Sequence, residues 1–279
     1  MKSWPAPAKI NLFLHITGQR EDGYHELQTA FQFLDYCDNL QFEVTDEPEI
    51  KLLTPIKGVD NEDNLIVRAA KMLQQHAGIE RGVKIKLTKL LPMGGGLGGG
   101  SSNAATTLVA LNQLWHCQFS TTELACLGLK LGADVPIFIH GTASWAEGVG
   151  EQLTPISPRE PWYVVVVPDC HVATAEVFSA NELTRDCESI TISRFLSGEG
   201  RNVCEDVVRN RYQAVSEALD WLAQFGQARM TGTGACVFAD FDSQQQAQQV
   251  VNSLPKKWQG FVAKSCNISP LTAEDFSIM

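Results

Sequence analysis

The densest chemical signal in the chain is Met93-Gly94-Gly95-Gly96-Leu97-Gly98-Gly99-Gly100-Ser101-Ser102, where six of the seven residues from 94 to 100 are glycine. Glycine loses more backbone entropy on folding than any other residue, so such a run must serve a purpose that offsets its cost. The run stands between a strand pattern and a helix pattern, with Ser101-Ser102 at the expected cap. Backbone amides left open by side chains at a helix N-terminus form an anion site, and phosphate suits it. A flexible linker is the alternative, but linkers seldom run straight into an amphipathic helix. The Walker A loop needs Gly-Lys-[Ser/Thr], and the residue before Ser101 is glycine, which excludes it. The dinucleotide fingerprint matches formally at Gly94, Gly96 and Gly99. That fingerprint also needs a second parallel strand ending in an acidic residue, whereas Ser120-Thr121-Thr122-Glu123 has the form of a capping box opening another helix.

Three further segments carry groups able to do chemistry. In Lys9-Ile10-Asn11-Leu12-Phe13-Leu14-His15-Ile16 the residues Ile10, Leu12, Leu14 and Ile16 are apolar at period two. This predicts a strand with Lys9, Asn11, Phe13 and His15 together on its other face. Lys9 alone is either a solvated edge charge or a functional cation. Asp134, in Leu131-Gly132-Ala133-Asp134-Val135-Pro136, is either a turn residue or a base. Tyr24 and His25 follow the turn signal Asp22-Gly23 and are either a packed hairpin tip or a ligand-facing pair. His and Cys never fall at metal-ligand spacing, so no protein-held metal is expected.

These groups must be positioned by the elements around them. Residues 31–34 and 40–44 have the pattern of strands, 64–76 of a helix and 83–87 of a strand. A helix follows from Asn103 to about Trp115, and the next ends at 131–136, where glycine and proline favour a stop. Strands are expected at 162–167, 236–238 and 260–264, and helices at 207–225 and 243–253. The absence of regular βα alternation makes the class α+β. The best linker is Thr154-Pro155-Ile156-Ser157-Pro158, and a chain of 279 residues reads as two domains, 1–155 and 156–279.

With 22 Lys+Arg against 32 Asp+Glu the formal charge is −10. Such a chain is a poor partner for nucleic acid or an anionic membrane. No apolar run approaches the ~18 residues that span a bilayer, and the first seven residues lack a signal-peptide core. The eight cysteines are scattered and read as buried thiols of a reducing cytoplasm.

The segment from Pro92 to Ser102 resembles the second motif of the GHMP kinases, the relatives of galactokinase, homoserine kinase and mevalonate kinase. Pro7-Ala8-Lys9-Ile10-Asn11-Leu12 is similar to their first motif and Thr231-Gly232-Thr233-Gly234-Ala235-Cys236 to their third. The likeness runs from residue 5 to about 271. Gly23-Tyr24-His25-Glu26-Leu27 and Leu131–Pro136 resemble one branch, which phosphorylates a cytidine-diphosphate-linked methylerythritol in the non-mevalonate isoprenoid route. The resemblance implies a two-domain α+β fold with ATP, its Mg2+ and the substrate in the inter-domain cleft. It implies that Pro92, Met93, Gly94, Gly95, Gly96, Leu97, Gly98, Gly99, Gly100, Ser101 and Ser102 bind ATP, one of the serines assisting the magnesium. Asp134 would be the base and Lys9 the cation offsetting charge on the alkoxide as it forms. Asn11 would reach the substrate side, Tyr24, His25 and Phe178 would sandwich and read the cytosine, and Thr174 would sit near the erythritol. Gly232 and Gly234 would support the ATP loop by close packing.

Overall fold

The computed structural model describes residues 2–21, 23–56 and 58–272. Asp22, half of the expected turn, lies outside the described residues. Strands β1 (Ser3–Gln19) and β2 (His25–Thr45) form a long antiparallel pair. They are followed by β3 (Ile50–Leu52), α1 (Leu65–Ala77), β4 (Gly82–Thr88), α2 (Gly99–Leu114), α3 (Thr121–Leu129) and α4 (Val135–His140). Next come β5 (Ser144–Glu147), β6 (Gln152–Pro155), β7 (Trp162–Val167), α5 (Thr174–Phe178), α6 (Ile192–Leu196), α7 (Cys204–Arg211) and α8 (Gln213–Leu222). The last elements are β8 (Arg229–Met230), β9 (Val237–Phe241), α9 (Gln244–Asn252) and β10 (Gln259–Cys266).

The sheet runs β3-β4-β2-β10-β7-β9-β8, with β1 and β5 also on β2. It is a mixed sheet with helices, as an α+β class requires; β3 and β4 are parallel, and the other pairs of named strands are antiparallel. β10 joins its two parts, pairing with β7 over 259–264 and then with β2 at Ser265 and Cys266. One core packs α1–α4 on the sheet through Leu73, Ile85, Leu108 and Phe138. A second gathers Val164, Val166, Val208 and Leu219, and takes in Leu14 and Ile16 from β1. A third, with Ile10, Leu34, Leu97 and Phe238, lies under the glycine loop.

Several expectations need correction. Segments 31–34 and 40–44 belong to one strand, β2, because its polar middle still pairs with β1 across a register shift at Pro7/Ala8. The helix expected over 207–225 is two helices, since Tyr212 is extended at φ −125° and ψ 91°. Pro136 opens α4 and does not terminate a helix, because its missing N–H is harmless in a first turn. A second register shift in β1, between Asn11 and Leu14, is a bulge that flips the side chains beyond it. Lys9 and Asn11 therefore share a face with Leu14, while Phe13 turns into the third core against Trp145 and Phe195. Of the eight free cysteines only Cys204 and Cys236 are buried; Cys126 is exposed and the rest are half-buried, so the expectation of buried thiols holds in part.

Candidate active site

The glycine loop is anchored before it begins. Asp38, fully buried on β2, accepts hydrogen bonds from the backbone N–H of Leu90 (2.7 Å) and Leu91 (2.8 Å) and from Lys89 Nζ (2.7 Å). The loop then lies on the second glycine loop. Gly96 has φ +76°, and a β-carbon there would stand 2.3 Å from the Thr231 carbonyl oxygen. A β-carbon on Gly232 would stand 3.4 Å from the Gly96 Cα, and one on Gly234 would meet the side chains of Met230, Val172 and Val208. The expected close packing on the ATP loop is made by both glycines, by Gly232 at the Gly96 backbone and by Gly234 through its carbonyl oxygen, which a β-carbon on Gly96 would meet at 3.2 Å. Cys236 N–H donates to the Gly95 carbonyl (3.1 Å), and burial pushes the Cys236 thiol up to about 12, so it stays neutral beneath the loop.

Helix α2 starts at Gly99, earlier than the pattern predicts, and its N-cap is Gly98 in the left-handed region at φ +72° with no side-chain cap. Ser101 and Ser102 lie inside the first turn, not at the cap. The difference has a physical sense. A capping side chain would satisfy amides that a bound anion needs, and the first amides of a helix have no partner within it.

Beyond the loop stands a compact polar cluster. Lys9 is 3 % exposed, and its ammonium meets Asn11 Oδ1 at 2.6 Å, the Gly96 carbonyl at 3.2 Å and Asp134 Oδ2 at 3.2 Å. Three N–H groups thus find three acceptors. Asn11 Nδ2 donates to Thr29 Oγ1 (2.9 Å), which donates to the Phe13 carbonyl exposed by the bulge (2.5 Å). Both polar atoms of the Asn11 side chain are thereby engaged within the protein, aimed at Lys9 and Thr29. Asp134 is the N-cap residue of α4, yet its side chain makes no cap hydrogen bond, so the carboxylate faces Lys9 and the cavity.

Two cavities meet at the loop. The larger, about 760 Å³, is lined by Lys9, Asn11, Tyr24, His25, Asp134, Thr174 and Phe178 among others, and so brings all of these sequence-predicted residues together. The smaller, about 360 Å³, is lined by Pro92 through Ser101 with Ile56, Val59, Lys89 and Asn103. Gly96, Gly98 and Ser101 line both. Ser102 lines neither; its hydroxyl is buried without a hydrogen-bond partner. Thr174 Oγ1 pairs with Thr233 Oγ1 at 2.9 Å, which ties α5 to the second glycine loop.

At the far end of the larger cavity His25 stacks on Phe178, with centroids 5.2 Å apart and planes at 21°. A ring inserted between them would need ~7 Å, two carbon contact distances, so these two rings do not form the sandwich. They make one aromatic wall, and Tyr24, 65 % exposed, lines the same cavity. Arg185 donates to His25 Nε2 (3.1 Å), and together with partial burial this guanidinium holds the imidazole below its ordinary range, burial being the larger cause. Arg185, Asp38, Thr29 and Thr233 escape sequence reasoning. Their segments carry no motif apart from the third glycine motif around Thr233, whose spacing was a usable signal.

The chain matches the description "GHMP kinases N terminal domain" over residues 64–142 and "GHMP kinases C terminal" over 186–260. It is 60 % identical over 271 residues to a 4-diphosphocytidyl-2-C-methyl-D-erythritol kinase of Nitrosococcus oceani, covering 97 % of each chain. It is 58 % identical to the protein of that name from Shewanella baltica, covering 97 % of this chain and 95 % of the other. Its fold is similar to a crystal structure of 4-(cytidine 5'-diphospho)-2C-methyl-D-erythritol kinase, with TM-score 0.85 and 31 % identity over 95 % of this chain and 99 % of that one. A crystal structure of mevalonate kinase shares the fold at TM-score 0.67 and 18 % identity, over 96 % of this chain and 100 % of that one.

Proposed function

The chain belongs to the GHMP kinase family, and we propose that it transfers the γ-phosphoryl of ATP to a hydroxyl of 4-diphosphocytidyl-2-C-methyl-D-erythritol. The products are the 2-phosphate and ADP, a step of isopentenyl diphosphate biosynthesis by the non-mevalonate pathway. The observation that carries this reading is the Lys9–Asp134 pair at 3.2 Å, set in a cavity that runs from the glycine loop to the aromatic wall of His25 and Phe178.

Phosphoryl transfer asks a protein chiefly for positioning and charge stabilisation. The amides at the start of α2 hold the phosphates of ATP. Asp134 takes the proton of the attacking hydroxyl, the new O–P bond forms as the bond from the γ-phosphorus to the β-phosphate oxygen breaks, and ADP leaves. Lys9 offsets the negative charge that gathers on the attacking oxygen. Asn11 and Thr29 fix Lys9, so the part of Asn11 in substrate binding is to aim that ammonium. Thr174 stands near the erythritol, and Tyr24 closes on the cytosine against Phe178 while His25 reads its edge.

A magnesium ion carried in on the nucleotide fits the donors present. No group of three or more His, Cys, Asp or Glu able to hold a metal occurs among the described residues. The Ser101 hydroxyl is at the cavity and would assist an ion whose other oxygens come from phosphate and water. When bound, the ion would offset the negative charge of the phosphates.

Residues 1–155 form the domain carrying the loop and the pair, and 156–279 the domain supplying Thr174 and Phe178. Thiols at all eight cysteines fit a reducing compartment, no helix among the described residues is long and apolar enough to cross a membrane, and we place the enzyme in the cytoplasm. A coupled ADP-release assay with ATP and magnesium tests the reading over three alcohols. Turnover is expected with 4-diphosphocytidyl-2-C-methyl-D-erythritol and not with mevalonate or homoserine; the reverse pattern would overturn it.

A further inference from the structure

The guanidinium of Arg185 is held at four points. Nη2 donates to the carbonyls of Phe178 (2.8 Å) and Ala180 (2.8 Å), Nη1 donates to that of Leu183 (3.2 Å), and Nε donates to His25 Nε2 (3.1 Å). Three carbonyls at the end of α5 and just beyond it therefore fix the group that meets the imidazole. Arginine can only donate. His25 Nε2 must accept, and a neutral imidazole that accepts at Nε2 carries its one proton on Nδ1. With Nε2 occupied, Nδ1–H is the only polar group of the ring left for a ligand in the cavity that His25 lines.

We propose that Arg185 is the positioning residue that makes this pocket select cytosine over uracil, by locking His25 as an Nδ1–H donor. This rests on the cytidine reading of the pocket given above. The two pyrimidines differ where a donor is tested: N3 of cytosine accepts a hydrogen bond, whereas N3 of uracil carries a proton and donates. A locked donor pairs with the first and opposes the second. An imidazole free to exchange tautomers could turn an acceptor toward uracil N3–H, and the distinction would fade. Arg185 also bonds the Phe178 carbonyl, so one guanidinium sets both the reading ring and the ring stacked on it.

The test uses the full chain with its loop saturated by a non-hydrolysable ATP analogue, and CDP and UDP as probes in calorimetry. The wild-type chain should bind CDP more tightly than UDP. In Arg185→Met the ratio of the two affinities should fall by roughly tenfold, the value of one ordinary hydrogen bond. Affinity for the ATP analogue should stay within twofold. Arg185→Lys, which also only donates, should keep most of the ratio. Nitrogen-15 NMR of the wild-type imidazole, assigned with His25→Asn, should show the proton on Nδ1. A proton on Nε2 would overturn the proposal, as would an Arg185→Met chain that loses CDP and UDP affinity equally. A wild-type chain without preference for CDP would instead remove the cytidine reading on which the proposal stands.

Discussion

The two ends of the larger cavity recognise their ligands by different means. At the glycine loop the recognising groups are backbone amides, and side chains are kept away: a β-carbon on Gly96 would meet the Thr231 carbonyl oxygen at 2.3 Å, and one on Gly98 would meet Phe138 at 2.8 Å. At the aromatic end the groups are side chains, Tyr24 and His25 just before and at the start of β2 and Phe178 from α5, with Arg185 binding the last two together. Backbone recognition needs glycine at fixed positions and tolerates no substitution, but it is indifferent to what the nucleotide does next. Side-chain recognition is assembled from distant segments and carries the selectivity. The Lys9–Asp134 pair sits at the junction, since Lys9 also grips the Gly96 carbonyl of the loop.

The largest expected effect falls on that junction. Asp134→Asn keeps the shape of the site and removes the base, so kcat should drop by ~10²–10⁴ while both ends still bind. Calorimetry with an ATP analogue and with CDP should find each affinity within a few-fold of wild type; full turnover in this variant would dismiss Asp134 as base. Gly96→Ala then separates the ends. It places a β-carbon against backbone at a φ of +76°, where the left-handed conformation alone costs ~1–2 kcal/mol before the clash is counted. The denaturation midpoint and the ATP-analogue affinity should both fall. CDP affinity should hold, and an equal loss of CDP binding would show that the two ends are not independent.

The same division governs what the amino-acid sequence discloses. The phosphate loop is legible because its mechanism leaves a compositional mark, glycine at consecutive positions before a helix. The strand over 83–87 and the capping box at Ser120 and Glu123 are legible because period and cap chemistry are local, and both stand as expected. The start of α2 was misread because a helix beginning in glycine looks like loop. The bulge after Asn11 was unreadable, for it depends on the register of β1 against Thr29 and Phe31 on β2. The partnership of Lys9 with Asp134 came only through the family resemblance, since nothing local in either segment points to the other. Arg185 lies in a stretch without periodicity or motif, and its role emerges only when α5 and β2 are brought together.

Phe178→Ala tests the aromatic end by itself. Base stacking on an aromatic ring is worth ~1–3 kcal/mol, so KM for the cytidyl substrate should rise by that amount with KM for ATP unchanged. Because the ring is only partly buried on the rim of the second core, the denaturation midpoint should move little. A rise in both KM values would mean that α5 supports the loop through Thr174 and Thr233 more than it faces the base.

The smallest effect is one of pH, and it too belongs to the side-chain end. His25 and His15 each accept a hydrogen bond at Nε2, from Arg185 Nε and from the Arg201 backbone N–H, respectively. Protonation would set donor against donor at both. Burial, and then the nearby arginine, holds both imidazoles below the ordinary value of 6.5, and burial alone does the same for His140. A histidine whose folded-state pKa is lowered favours folding when neutral. Its contribution is complete above about pH 6.5, the unfolded value, and is lost as pH falls from there through the lowered folded value. The urea midpoint should therefore decline between pH 6.5 and 5, and the decline should be shallower in His25→Gln, which has no charge to gain at that site. Curves of identical slope for the two proteins would show that the Arg185–His25 contact does not favour the neutral ring. The His25 ring would then owe its orientation to packing, while Arg185 would still tie the end of α5 through its three carbonyl hydrogen bonds.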